Sequence, residues 1–269
     1  MDSAGPAALG AAAARVVFLH DADVLPGPVG ALAHLGTRVD LHIPRHPGFG
    51  SEWDVRSEQW DSVSDLAHHH LQRIRESGDS RKVHLAGAGL GGWVALEMAT
   101  WCPELLASLT LICPFGVKFS APTEPEFADI LLLDPEEVIE LGWADPAAWY
   151  GVRMPGYPAD EDDERDANAF AERAALARYV WKPFLHNPAL RRRLPLLTLP
   201  VLVLSGARDR LVRAGHAAQL AAEIPGARHV ELPDTGHYPY LETPSVFLQA
   251  LLGFLAQVQA PVAGRETRR

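Results

Sequence analysis

The chain has 269 residues, 48% of them hydrophobic and 22% charged, with a formal net charge of −10 and two cysteines. This length suits one sizeable α/β domain with room for an insertion. The acidic balance argues against nucleic-acid or anionic-membrane partners, whose phosphates need a basic face.

Cys102 and Cys113 show no metal spacing; they read as buried thiols of a reducing compartment, with an inter-strand disulfide as the lesser option. Met1 to Ala14 has no Lys or Arg ahead of its apolar stretch, unlike a secretory signal. No apolar run approaches the roughly 18 to 20 residues of a membrane span. A cytoplasmic protein is expected, without membrane or nucleic-acid partners. A homodimer is compatible with the sequence.

Short apolar runs bounded by Gly and Pro alternate with helix-period stretches, which predicts a parallel sheet of about six strands covered by helices. The strands fall at Arg15–His20, Thr37–Ile43, Lys82–Ala86, Ser108–Cys113, Val201–Ser205 and Ala227–Leu232. Helices fall near Gln59–Glu76, Gly92–Trp101, Gly215–Glu223 and Pro244–Val258. Thr243 and Pro244 offer an N-cap and a first helical position for the last of these. Between about Gly116 and Pro195 the alternation stops, and a Pro-rich, aromatic stretch with an acidic run at Asp160–Glu164 takes its place. The expected organisation is a core in two parts, 1–115 and 196–260, a helical cap at 116–195, and a flexible tail at 261–269.

The most informative segment is Val83-His84-Leu85-Ala86-Gly87-Ala88-Gly89-Leu90-Gly91-Gly92. It resembles the Gly-x-Ser-x-Gly nucleophile elbow of the α/β-hydrolase superfamily, with Gly89 where Ser, Cys or Asp would stand. Further segments match in the same order. Val16-Val17-Phe18-Leu19-His20 is similar to the strand leading into the oxyanion loop. Pro44-Arg45-His46-Pro47-Gly48-Phe49-Gly50 resembles a loop of the meta-cleavage-product hydrolases, with Arg45 where Asp is usual. Leu204 to Val212 resembles the strand and loop carrying the triad acid, and Asp234 to Pro244 resembles the G-H-x-P-x-x-E-x-P histidine loop.

The resemblance implies an α/β-hydrolase fold with Asp209 as triad acid and His237 as triad base. For an isolated histidine, simple packing would be the better reading; the matching motifs tip the balance to a catalytic pair. The implied oxyanion hole consists of the backbone N–H groups of Leu90 and Ala22. Asp21 and Asp23 flank it and would oppose an oxyanion if they faced it; the sequence slightly favours both pointing to solvent. Trp93, Phe115, Trp143, Trp181 and Tyr238 are further candidates for a substrate pocket. Because glycine cannot attack a carbonyl, covalent acyl transfer is excluded at position 89, and its missing side chain leaves room for water or a substrate oxygen beside His237.

Three readings follow. The first is a cofactor-independent enzyme that acts on a small apolar or aromatic carbonyl compound by general-base chemistry of His237 and Asp209 without a serine nucleophile, through water-mediated hydrolysis, C–C cleavage, elimination or cyclisation. The second is a ligand-binding protein without catalysis, and the third a serine hydrolase whose nucleophile is replaced. A dinucleotide site is disfavoured, since the downstream acid and histidine motifs fit the hydrolase pattern better. No metal site is expected. His68, His69 and His70 fall on different faces of one helix, and the other histidines, His20 and His46 included, show no ligand spacing.

Overall fold

The computed structural model describes residues 13–22, 29–49, 60–149 and 172–260. Six parallel strands form one sheet in the order β2-β1-β3-β4-β5-β6. They are β1 (Arg15–Leu19), β2 (Asp40–His42), β3 (Val83–Ala88), β4 (Leu106–Ile112), β5 (Val201–Gly206) and β6 (Arg228–Leu232). All six expected strands are present, with ends moved by up to three residues. In β1 the period of two is plain. Val17 and Leu19 pack on one face of the sheet, Val16 and Phe18 on the other.

One face is covered by α2 (Val63–Glu76), α3 (Gly89–Trp101) and, further along the chain, α7 (His216–Glu223). The other is covered by α1 (Ala31–Leu35), the short α8 (Pro239–Glu242) and α9 (Pro244–Gln259). Helix α2 begins at Val63 rather than Gln59 because Ser62 caps it, its hydroxyl accepting from the Asp65 N–H at 3.2 Å. Its buried residues Val63, Leu66, Ala67, His70, Leu71 and Ile74 follow helical spacing. Helix α9 starts at Pro244 as expected, but Thr243 makes no side-chain cap; its hydroxyl pairs with that of Thr235.

The stretch between β4 and β5 contributes α4 (Pro135–Gly142), α5 (Pro146–Trp149) and α6, described over residues 172–180. It touches the core through an antiparallel bridge between Phe127 and Val212, and through the Tyr179 hydroxyl donating to the Pro47 carbonyl at 2.9 Å. The acidic run at 160–164 and the tail at 261–269 lie outside the described residues, as does Asp23. Among the described residues, no helix is long and apolar enough to cross a membrane.

The sheet reverses direction of growth at β1, with β2 on one side and β3 on the other. The carboxyl ends of β1 and β3 therefore open on the switch-point crevice where ligands of α/β sheets bind. Asp21 follows β1 by two residues and Gly89 follows β3 directly. Close packing brings the two loops together: a Cβ on Gly91 would lie 2.2 Å from the Leu19 carbonyl oxygen, so only glycine lets α3 approach β1.

Candidate active site

Helix α3 starts at Gly89 itself, three residues before its expected start, because the strand turns into the helix without an intervening loop. Gly89 has φ +47°, the left-handed conformation that glycine adopts without the penalty other residues carry. Asp209 lies three residues beyond β5 and His237 five beyond β6, so both reach the same end of the sheet. They meet there. His237 Nδ1–H donates to Asp209 Oδ2 at 2.8 Å. The other oxygen of Asp209 accepts from the N–H groups of Leu211 and Val212 at 2.9 and 3.2 Å, which fixes the carboxylate.

The space at Gly89 is occupied. A Cβ on Gly89 would lie 2.1 Å from both carboxylate oxygens of Asp21. Asp21 is 1% exposed, against the expectation that it points to solvent, and it fills the room expected for water or a substrate oxygen. Its Oδ1 accepts from the N–H of Ala22 at 2.7 Å and of Leu90 at 3.0 Å, the two groups expected to form an oxyanion hole. Its Oδ2 accepts from His237 Nε2–H at 3.0 Å. The physical reason for this inward turn is satisfaction: three N–H donors converge on one point, and a buried carboxylate needs them.

Charge follows from this geometry. Burial pushes the Asp21 carboxyl upward, but the His237 contact and the two backbone N–H groups outweigh it and hold its pKa below the ordinary 3.8. Burial alone would discharge His237. Asp209 and Asp21, one at each ring nitrogen, instead raise its pKa well above 6.5. The resting site is an imidazolium between two carboxylates, with the Phe115 ring stacked on it at 5.3 Å.

A second set of histidines holds Asp21 from behind. His20 Nδ1–H donates to the Asp21 carbonyl at 2.6 Å, and His20 Nε2 accepts from the His46 backbone N–H at 3.0 Å. His46 Nε2–H donates back to the His20 carbonyl at 3.0 Å, and its Nδ1 accepts from His70 Nε2–H at 2.8 Å. All three rings are buried. Burial lowers each of them, His20 to about 3 and the others well below 6.5, so all are neutral. His70 Nδ1, at the end of the chain, is buried without a partner among the described residues. Sequence spacing gave no sign of this cluster, because it joins a strand end, a loop and a helix. Glu242 is a further residue without an assigned role in the sequence reading. Its carboxylate accepts from the N–H groups of Gly236, Tyr238 and Ala144 and so braces the loop bearing His237.

The other pocket candidates separate. Phe115 borders His237, and Trp93 is buried, with its indole N–H directed at Glu97. Trp143 and Tyr238 pack on each other at 5.4 Å within the core cluster of the α9 face, and the Tyr238 ring also meets the edge of His237 at 5.2 Å. Trp181 is 61% exposed, since the turn after α6 carries it away from the sheet.

One atom each of Cys113, Asp209 and His237 lies within 4.8 Å of the others. Burial pushes the Cys113 thiol well up, and the His237 nitrogen is committed to Asp209. Metal ligation needs thiolate and a free imidazole lone pair, so this trio does not suit a metal.

A sequence profile described as the alpha/beta hydrolase family matches residues 16–250. The chain is 29% identical over 238 residues to a putative carbamate hydrolase, RutD, of Variovorax paradoxus, covering 87% of this chain and 86% of that protein. Among solved structures, it superposes on a bacterial membrane phospholipase A with a TM-score of 0.72 and 21% identity, over 93% of this chain and 80% of the other. It also superposes on the 2-hydroxy-6-oxo-6-phenylhexa-2,4-dienoate hydrolase of Rhodococcus sp. strain RHA1, with a TM-score of 0.65, 23% identity and 90% of each chain covered. At these identities the two superpositions show the fold alone.

Proposed function

Since the chain belongs to the alpha/beta hydrolase family, we propose that it is a cofactor-independent enzyme acting on a small apolar or aromatic carbonyl compound by proton transfer through His237 and Asp209. The observation that carries this reading is the continuous contact Asp209–His237–Asp21 at the carboxyl end of the sheet. Asp209 fixes the ring by its Nδ1–H, and Nε2 faces the site. Because two carboxylates hold the proton on His237, the ring enters the reaction as an acid and serves as a base only on the return step. With glycine at position 89 no acyl-enzyme forms there. The aromatic carbonyl class is supported by the Phe115 ring stacked on His237.

Turnover of a panel of aromatic esters, β-diketones and β-hydroxy ketones tests the reading. His237→Ala is expected to lose on the order of a hundredfold or more in kcat. A variant as active as the parent on every compound turned over would end it.

The reading as a ligand-binding protein without catalysis is favoured by one observation, the occupation of both oxyanion-hole donors by Asp21. It predicts that nothing in the panel is turned over. The serine-hydrolase reading fares worst, since a serine side chain at position 89 would overlap Asp21.

A further inference from the structure

The carboxylate of Asp21 is placed where a nucleophile side chain would stand, yet it does not reach that place from the elbow. It comes from the loop after β1, and three features of the fold are arranged around it. Gly89 leaves the volume, since any Cβ there would lie 2.1 Å from the Asp21 oxygens. Leu90, Ala22 and His237 supply three N–H donors to its two oxygens. The His20 ring grips its backbone carbonyl, and His46 and His70 brace His20 in turn.

We infer that Asp21 is a catalytic base paired with His237 as acid, and that the site eliminates water from a β-aryl-β-hydroxy ketone. This rests on the reading of His237 as a proton-transfer residue and adds a reaction class and a reacting group to it.

Two observations select elimination over hydrolysis. First, the Leu90 and Ala22 N–H groups are already spent on a full negative charge. An oxyanion developing beside that carboxylate would be repelled rather than stabilised, so a reaction that builds a tetrahedral oxyanion is disfavoured. A concerted elimination builds no such charge when an acid stands at the leaving group. Second, base and acid lie side by side, Asp21 Oδ2 being 3.0 Å from His237 Nε2. A carboxylate offers about four lone-pair sites. Three are used among the described residues, two on Oδ1 and one on Oδ2, which leaves one on Oδ2 for a substrate proton.

The step balances within the site. Asp21 Oδ2 takes the proton from the carbon α to the carbonyl, and the released electron pair forms the α,β double bond. The bond from the β-carbon to its hydroxyl oxygen breaks. That oxygen takes the Nε2 proton of His237 and leaves as water. The protonated Asp21 then returns its proton across the contact to His237, which restores the resting ion pair. The products are the enone and water, with no oxidant, reductant or further reactant.

The probe is the aldol adduct of benzaldehyde and acetone, whose dehydration to benzalacetone is followed by the ultraviolet absorbance of the enone. The wild-type protein is expected to accelerate it above buffer. Asp21→Asn, which keeps the shape and loses the base, is expected to fall by a factor on the order of a hundred or more. Asp21→Ala is expected to fall equally and to recover about tenfold or more with added formate, a carboxylate small enough for the same three donors. By proton NMR the low-field Nδ1–H signal of His237, held by Asp209, should persist in Asp21→Asn and report a folded site, while the Nε2–H signal facing residue 21 weakens with loss of the ion pair.

Absence of wild-type dehydration overturns the inference, as does full activity in Asp21→Asn or a failure of formate to restore Asp21→Ala. If the protein ignores the adduct but turns over an ester or diketone in a His237-dependent manner, the elimination falls and the broader proton-transfer reading stands. If dehydration survives His237→Ala, both fall.

Discussion

Two groups of histidines flank Asp21, both buried, one charged and the other neutral. On one side His237 sits between two carboxylates and carries a proton. On the other, His20, His46 and His70 hydrogen-bond to backbone groups and to one another, and carry none. Burial penalises the charged form in all four rings. The difference is made entirely by the partners. A carboxylate at each nitrogen repays the cost of burying a cation, whereas a carbonyl or a second imidazole does not. A few ångströms of placement thus produce a reactive ion pair on one face of Asp21 and an inert clamp on the other.

Acid is the strongest way to break this contrast. An unfolded imidazole binds its proton near 6.5, while folded His20 resists protonation down to about 3, and His46 and His70 resist as well. Between these limits the unfolded chain binds more protons, so this contribution to stability is complete above 6.5 and is lost as the pH falls toward 3. Each proton is worth about 1.4 kcal/mol per pH unit. Asp21, whose folded pKa is lowered, adds its own loss only below its ordinary 3.8. His237 has the opposite sign. Its folded pKa is raised, so its contribution is present below 6.5 and fades as the pH rises through the folded value. Urea unfolding across pH 4 to 10 should show an acid limb with uptake of about three protons from the clamp, and a separate alkaline loss from His237. A stability curve flat from pH 7 to 4 would contradict the neutral clamp.

Filling the glycine position is the next largest perturbation. Gly89→Ser must move Asp21 and also place a non-glycine residue at φ +47°. We expect a loss of about 3 kcal/mol and no burst of ester hydrolysis, because the displaced carboxylate still contends for the oxyanion hole. Adding Asp21→Gly should recover part of that loss through a coupling of about 1–2 kcal/mol and release the two N–H groups to a serine. A burst with a nitrophenyl ester in the double variant, absent from both single variants, would establish that Gly89 and Asp21 occupy one shared volume. Strict additivity of the two changes would refute it.

This coupling also marks the limit of what the sequence made legible. The six strands were readable because Val- and Leu-rich runs such as Val201–Leu204 keep a clear period and sit between turn residues. His237 and Asp209 were readable from their motifs, since each motif also encodes the loop that presents the residue. The direction of Asp21 was not readable, because a single acidic residue in a loop has no period, and its partners lie 69 and 216 residues away. The His46–His70 contact escaped for the same reason. It depends on how a helix lies across the sheet, and helical spacing reports only that His70 faces inward. The layer in which Trp143 packs was not readable either, because composition says that an aromatic ring will be buried but not where.

The smallest expected effect tests the clamp at its open end. His70 donates Nε2–H to His46 and leaves its own Nδ1 buried without a partner among the described residues. An unsatisfied buried acceptor costs about 1–3 kcal/mol. His70→Leu removes that acceptor but strands His46 Nδ1 in its place, so the orphan moves one ring along the chain and the penalty is roughly conserved. At pH 7.5 the unfolding free energy should therefore change by less than about 1 kcal/mol, the leucine filling much the same buried volume on α2. The difference should appear on acidification, because the variant has one fewer neutral histidine to protonate on unfolding. Its acid limb should show about one proton less than the parent, while the alkaline limb set by His237 stays where it was. A loss of more than 2 kcal/mol at pH 7.5 would mean that His70 contributes a net favourable hydrogen bond, and that the chain of neutral rings is held from α2 rather than from the Asp21 end.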